Sequence, residues 1–147
     1  MATSNAATTY LENKLLSFLF KNNAGSLSTP GDSIYVGLAT AVSDAEAGTL
    51  TEVNTTTQDA NYARQQVTAA NWTLASASTD QQTVTNAANI EYSASSGVAT
   101  YTVTHAFIAD ASSSGNILFV GALDASKAIA SGDIFRINAG NLTIELK

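Results

Sequence analysis

The sequence predicts a mostly β protein, an antiparallel β-sandwich of jelly-roll-like form with one amphipathic helix at its N-terminus. Three observations predict it. From residue 82 onward, short alternating segments are separated by Gly, Asn, Asp and Ser turns, the pattern of a sandwich or jelly roll. Helical periodicity is confined to one segment near the N-terminus. The 147 residues, 45% of them hydrophobic, fit one domain with a modest core.

Residues 1–8 read as a flexible arm that orders on contact, and residues 9–147 as a single domain whose helix spans 9–21. Thr9-Tyr10-Leu11-Glu12 has the form of a capping box, in which Thr9 accepts from the Glu12 backbone while Glu12 reaches back. Leu11, Leu15, Leu16, Phe18 and Leu19 follow at helical spacing and make one broad apolar face. Asn22-Asn23-Ala24-Gly25 suits a left-handed C-terminal cap. The apolar face either closes one end of the core or packs on a neighbouring subunit.

A loop with the sole proline, Pro30, leads into Ser33-Ile-Tyr-Val-Gly-Leu-Ala39, a buried strand candidate. Residues 40–61 read as a long polar loop carrying Asp44, Glu46, Glu52 and Asp59; loops of that length are usually functional or partly disordered. Oxygen ligands make calcium conceivable there, but the spacing follows no EF-hand, which favours a solvated loop. Tyr62-Ala-Arg-Gln-Gln-Val-Thr68 alternates as a strand, and residues 72–74 begin another. Further strands are expected over residues 82–85, 90–92, 98–108, 116–123, 134–138 and 142–146. Ser96-Gly97, residues 110–115 and Ala139-Gly140-Asn141 supply the turns between them.

Composition narrows the function. Charged residues are only 12% of the chain, about half the usual share, so much of the surface is neutral and polar. Such a surface suits a protein held in a fixed assembly. A net charge of −6 with dispersed basic residues argues against nucleic-acid binding, which needs clustered cations to displace counterions. The absence of cysteine removes disulfides and thiolate chemistry. No cleavable export signal is visible at the N-terminus. No apolar run approaches the roughly 20 residues of a membrane span, so no membrane partner is expected.

No catalytic, cofactor-binding or metal-binding residues are expected. His105, the only histidine, shares the alternation phase of Tyr101, Val103 and Phe107. It therefore reads as a buried, hydrogen-bonded core residue rather than a general base oriented by a third group. Glycine-rich phosphate loops are absent. The residues expected to meet a partner are Tyr10, Leu11 and Leu15 on the helix and Asp44, Glu46 and Glu52 in the acidic loop. Tyr62, Arg64 and Trp72 join them, either stacking on a sugar or partner surface or plugging the end of the sandwich.

Several pieces in order resemble a known family. They are Ile34-Tyr-Val-Gly-Leu-Ala-Thr40, Tyr62-Ala-Arg-Gln-Gln-Val followed by Trp72, residues 86–92, residues 110–123 with Ser-Gly-Asn-Ile-Leu-Phe-Val-Gly-Ala-Leu123, and residues 132–146 with Ala-Gly-Asn-Leu-Thr-Ile-Glu-Leu146. From Tyr10 onward the chain resembles small virion proteins of tailed bacteriophages, often labelled tail fibre proteins. The resemblance implies a non-enzymatic virion component assembled in the bacterial cytoplasm. The first placement it suggests is a capsid cement or decoration protein, bound to the major capsid protein and to copies of itself as a trimer or dimer. The alternative is a tail-tip, baseplate or short tail-fibre protein that contacts a host surface glycan or protein.

Overall fold

The computed structural model describes residues 6–21, 34–74 and 82–146. The protein is mostly antiparallel β with one α-helix, its curled sheets packed in a sandwich-like arrangement. The central sheet is built from β1 (Ala6–Ala7), β2 (Tyr35–Asp44), β3 (Thr49–Glu52), β4 (Gln65–Gln66), β8 (Tyr101–Ala109) and β9 (Ile117–Ile129). Its order is β1-β9-β8-β2-β3, with β4 also pairing on β2. A three-stranded sheet joins β5 (Trp72–Leu74), β6 (Gln82–Asn86) and β11 (Thr143–Leu146), and a two-stranded ladder joins β7 (Ile90–Glu91) to β10 (Arg136–Ile137).

Both faces of the central sheet are covered. On one face Val36, Leu38, Val103 and Ala106 pack against Val53, Tyr62, Val67, Ile90, Tyr92 and Ile137. On the other, Ala39, Phe107, Ala109 and Val120 form a smaller cluster with Ala45, Val42, Leu50 and Ile117. Gly37 stands directly opposite Phe107 in the β2–β8 register. A Cβ on Gly37 would lie 2.2 Å from Phe107 Cζ, so the glycine is the space into which the phenyl ring fits.

That placement corrects the expected phase of β8. Tyr101 and Val103 belong to the larger core, whereas Phe107 belongs to the smaller one on the opposite face. The register shifts between Val103/Lys127 and His105/Ala122. Such a bulge breaks the two-residue alternation and turns the following side chains over. His105 consequently lies on the Phe107 side, half-buried, with Nδ1 2.8 Å from Thr104 Oγ1. Burial holds its pKa below the usual histidine value.

Most of the expected acidic loop is a hairpin, because β2 runs on to Asp44 and returns as β3. Val42 and Leu50 supply its apolar side, and Gly48, at φ 67°, its turn. Two register shifts curl this hairpin over the sheet. Only the stretch after Val53 is irregular. There Asn54 Oδ1 accepts from Thr56 N and Thr57 N, and the carboxylate of Asp59 is buried.

The arm also differs from expectation. Ala6 and Ala7 pair with Val120 and Phe119 of β9. Thr8 is buried, donating from N to Leu118 O at 2.9 Å and from Oγ1 to Ile117 O at 2.6 Å. Residues 1–5, the expected C-terminal cap at Asn22-Asn23-Ala24-Gly25 and the Pro30 loop lie outside the described residues. Helix α1 (Thr9–Lys21) follows directly. Its N-cap is Thr8 rather than Thr9: Leu11 N donates to Thr8 Oγ1 at 3.4 Å, and Glu12 N to Thr8 O at 3.1 Å. None of its residues is buried, so the helix does not close the core.

Candidate functional site

Helix α1 is fixed to the body at its first turn. Thr9 N donates to Glu46 O at 2.8 Å while Thr8 holds β9, and this links β9 to the β2–β3 turn at one corner. Leu11, Lys14 and Ser17, three residues apart, are half-covered. On the opposite side of the helix stand Leu15, Leu16, Leu19 and Phe20, with Leu16 54%, Leu19 60% and Phe20 77% exposed. Each such side chain is worth about 1.5–3 kcal/mol when fully buried. A 13-residue helix is marginal in water without tertiary support, and contiguous exposed apolar surface marks an interaction site. The helix carries Lys14 and Lys21 against Glu12. It is thus a weakly basic element on an acidic chain.

The turn that receives Thr9 carries two of the expected contact residues. Asp44 Oδ1 accepts from Ala47 N at 3.0 Å, and Asp44 and Glu46 are both exposed. The corner therefore brings the turn of Asp44 and Glu46 beside the first turn of the helix with Tyr10 and Leu11, while Leu15 stands farther along the exposed side. Tyr10 and Leu15 are 39% and 40% exposed. Sequence periodicity located this apolar surface, but Phe20, its most exposed member, falls outside the five-residue pattern at the helix end.

Glu52, Tyr62 and Arg64 are placed elsewhere and are engaged internally. Arg64 Nε and Nη2 donate to the two oxygens of Glu52, each at 2.8 Å. Its Nη1 donates to Ala111 O at 2.9 Å and to Ser114 O at 2.7 Å. The guanidinium sits 5.0 Å from the centre of the Phe107 ring, and its side chain is 6% exposed. Hydrogen bonding to Glu52 raises the Arg64 pKa further above its ordinary value. Tyr62 receives Leu38 N at 2.8 Å and donates to Glu52 Oε1 at 2.8 Å. Burial pushes its phenol well up. The ring stacks on Tyr92, which meets Phe135 edge-on.

These residues form a pin that ties β3 and the segment before β4 to the two cores and the β8–β9 turn. Trp72 likewise packs half-buried against the larger core from β5. Asp59 is a second pin: Oδ1 accepts from Asn61 N and Ser96 N, and Oδ2 from Tyr101 Oη at 2.9 Å. His105 has a hydroxyl beside it but, among the described residues, no carboxylate bonded to its ring.

Among the described residues no helix is long and apolar enough to cross a membrane. No curated protein matches the chain. Residues 6–145 match the family model described as Podophage GP4 fiber I protein gp80. That span takes in the helix, both cores and the pinned YxRxxV strand, so the chain belongs to this family of phage fibre proteins and is a structural protein of the virion.

Proposed function

We propose that the protein is a component of a short tail fibre, held in the particle through helix α1 and presenting its sandwich to the host surface. The observation that carries this reading is the helix itself, anchored at one end and apolar along a side that none of the described residues covers. A helix laid into a neighbouring groove or against equivalent helices is a common mode of attachment. Copies of this chain and an adjacent virion protein are the partners proposed for it. The fibre description of the family favours this placement over a cement role on the capsid.

Leu16→Asp with Leu19→Asp tests the attachment. These side chains stand away from the cores, so the variant should keep its thermal midpoint to within the effect of about 0.5 kcal/mol. It should nevertheless be missing from purified particles. Normal incorporation would reject the helix as the attachment. Gold labelling of intact virions tests the location: label on the tail is expected, and label spread over the head would return the cement reading.

A further inference from the structure

The Arg136–Glu91 ion pair forms a ridge between two open grooves. One, of about 500 Å³, lies between the end of β9 and β10 and is lined by Lys127, Asp133, Ile134, Phe135, Arg136 and Asn138. The other, of about 230 Å³, lies between β4 and β7 and includes Gln65, Asn71, Asn89 and Glu91. Arg136 and Glu91 are directly opposite in the β7–β10 register, and their neighbours Ile137 and Ile90 point into the core. The first groove lies where β9 resumes its pairing beyond the bulge, at Lys127 opposite Val103.

The charge at this place is unusual for the chain. Of the six basic residues, Lys14 and Lys21 lie on the helix, Arg64 is held by Glu52, and Lys147 is outside the described residues. The remaining two, Lys127 and Arg136, converge on the larger groove. Among the described residues the Lys127 ammonium has no partner. Arg136 is paired with Glu91, so with Asp133 the two cations and two carboxylates of the groove and its rim balance, on a chain of net charge −6, and Lys127 is the cation left to meet an anion. Asp133 Oδ2 accepts from Ala130 N, leaving its other oxygen to accept from a hydroxyl. Ile134 is 54% exposed beside the half-buried Phe135. Together they make an apolar floor between polar walls.

We propose that the larger groove binds an acidic saccharide, its carboxylate at Lys127 and Arg136 and one sugar face on Ile134. The chain would continue over the ridge toward the carboxamides of Gln65, Asn71 and Asn89. Side-chain amides donate and accept at once, which matches sugar hydroxyls, and a small number of placed polar groups over apolar surface is the usual composition of such sites. Nucleic acid is a poorer fit because only one of the two cations lacks an internal partner. A protein partner would call for a cluster of large exposed anchors; this groove offers Ile134 alone, whereas α1 carries several together. The proposal rests on the fibre reading for its biological setting, though not for its chemistry.

Chemical-shift mapping of the intact 15N-labelled protein with trigalacturonate and with maltotriose tests it. Shifts are expected at residues 127–129 and 133–138, with trigalacturonate binding at least fivefold more tightly. Lys127→Ala should weaken trigalacturonate binding at least threefold, and added salt should do the same. Shifts elsewhere, no shifts, equal binding of the neutral sugar, or an unaffected Lys127→Ala variant would overturn the site. Asn138→Ala, with unchanged unfolding, serves as the second variant, and full affinity there would remove that residue from the site. Competition for adsorption of the parent phage separates the two readings. If the protein and its Lys127→Ala variant block adsorption equally, the fibre reading stands and the groove falls. If neither blocks while trigalacturonate still maps to the groove, the site stands and the fibre reading falls.

Discussion

Gly37 and Arg64 show how single positions hold this fold. The missing side chain at Gly37 is occupied by the Phe107 ring, whose nearest atom would be 2.2 Å from an added Cβ. Gly37→Ala should therefore destabilise by about 1–3 kcal/mol through overpacking. Adding Phe107→Leu should recover part of the loss in denaturant unfolding. An Ala variant as stable as the parent would show that the ring can move aside. Arg64 closes a different gap, joining Glu52, two carbonyls of the β8–β9 turn and a ring face. One carbonyl belongs to Ser114, a non-glycine residue at φ 52°. Arg64→Met should cost roughly 3 kcal/mol, because it strands Glu52 and both carbonyls. Arg64→Lys should recover little, since an ammonium cannot reproduce the two-pronged contact. Full stability of the lysine variant in thermal unfolding would refute that geometry. Sequence alone marked Tyr62 and Arg64 as notable without saying which way they point. Tyr62 faces a main-chain amide 24 positions away, and no local pattern encodes such a partner.

Elements were legible where their local pattern was strong and were lost where a bulge or a small residue interrupted it. Helix α1, the β8 and β9 strands and the closing β11 strand follow from periodicity. The β2–β3 hairpin was hidden because Ala, Thr and Ser fill most of its positions, leaving Val42 and Leu50 as the apolar signal. The phase reversal in β8 depends on extra residues in β9, which no reading of β8 alone can reveal. The groove residues had no signal either, since Lys127 on β9 and Arg136 on β10 belong to different sheets and share a groove only through tertiary packing. At the helix, Thr8 serves as both cap and strand anchor, giving one hydroxyl two duties. Thr8→Ala should cost about 1–2 kcal/mol. Hydrogen exchange at the amides of Leu11 and Glu12 should rise more than at the amides of β8. Equal protection at both places would mean that the helix is held by something other than its cap.

Across the whole molecule, tyrosine hydroxyls fasten the covering layer to the central sheet. Tyr62 meets Leu38 N, Tyr92 donates to Val36 O, and Tyr101 donates to Asp59. Burial is the main cause that raises all three phenols above their ordinary pKa. An acid whose folded pKa exceeds its unfolded value contributes stability that is full below the unfolded pKa, about 10 for tyrosine. That contribution is lost as pH rises beyond it, because the unfolded chain releases its protons first. Asp59 behaves in the opposite sense. Burial alone would raise its pKa, but hydrogen bonds from Ser96, Tyr101 and Asn61 outweigh that and leave it below 3.8. Its contribution is present above that value and fades as pH falls toward the folded pKa. Stability should therefore hold through the neutral range, fall above about pH 10, and fall again in strong acid. The three tyrosines should ionise in one step with unfolding, so tyrosinate absorbance and loss of β-structure should share a midpoint. Asp59→Asn should be less stable than the parent at neutral pH, with the difference shrinking in acid. A tyrosinate signal from all three that completes while the sheet is intact would show that these hydroxyls are not what joins the layers.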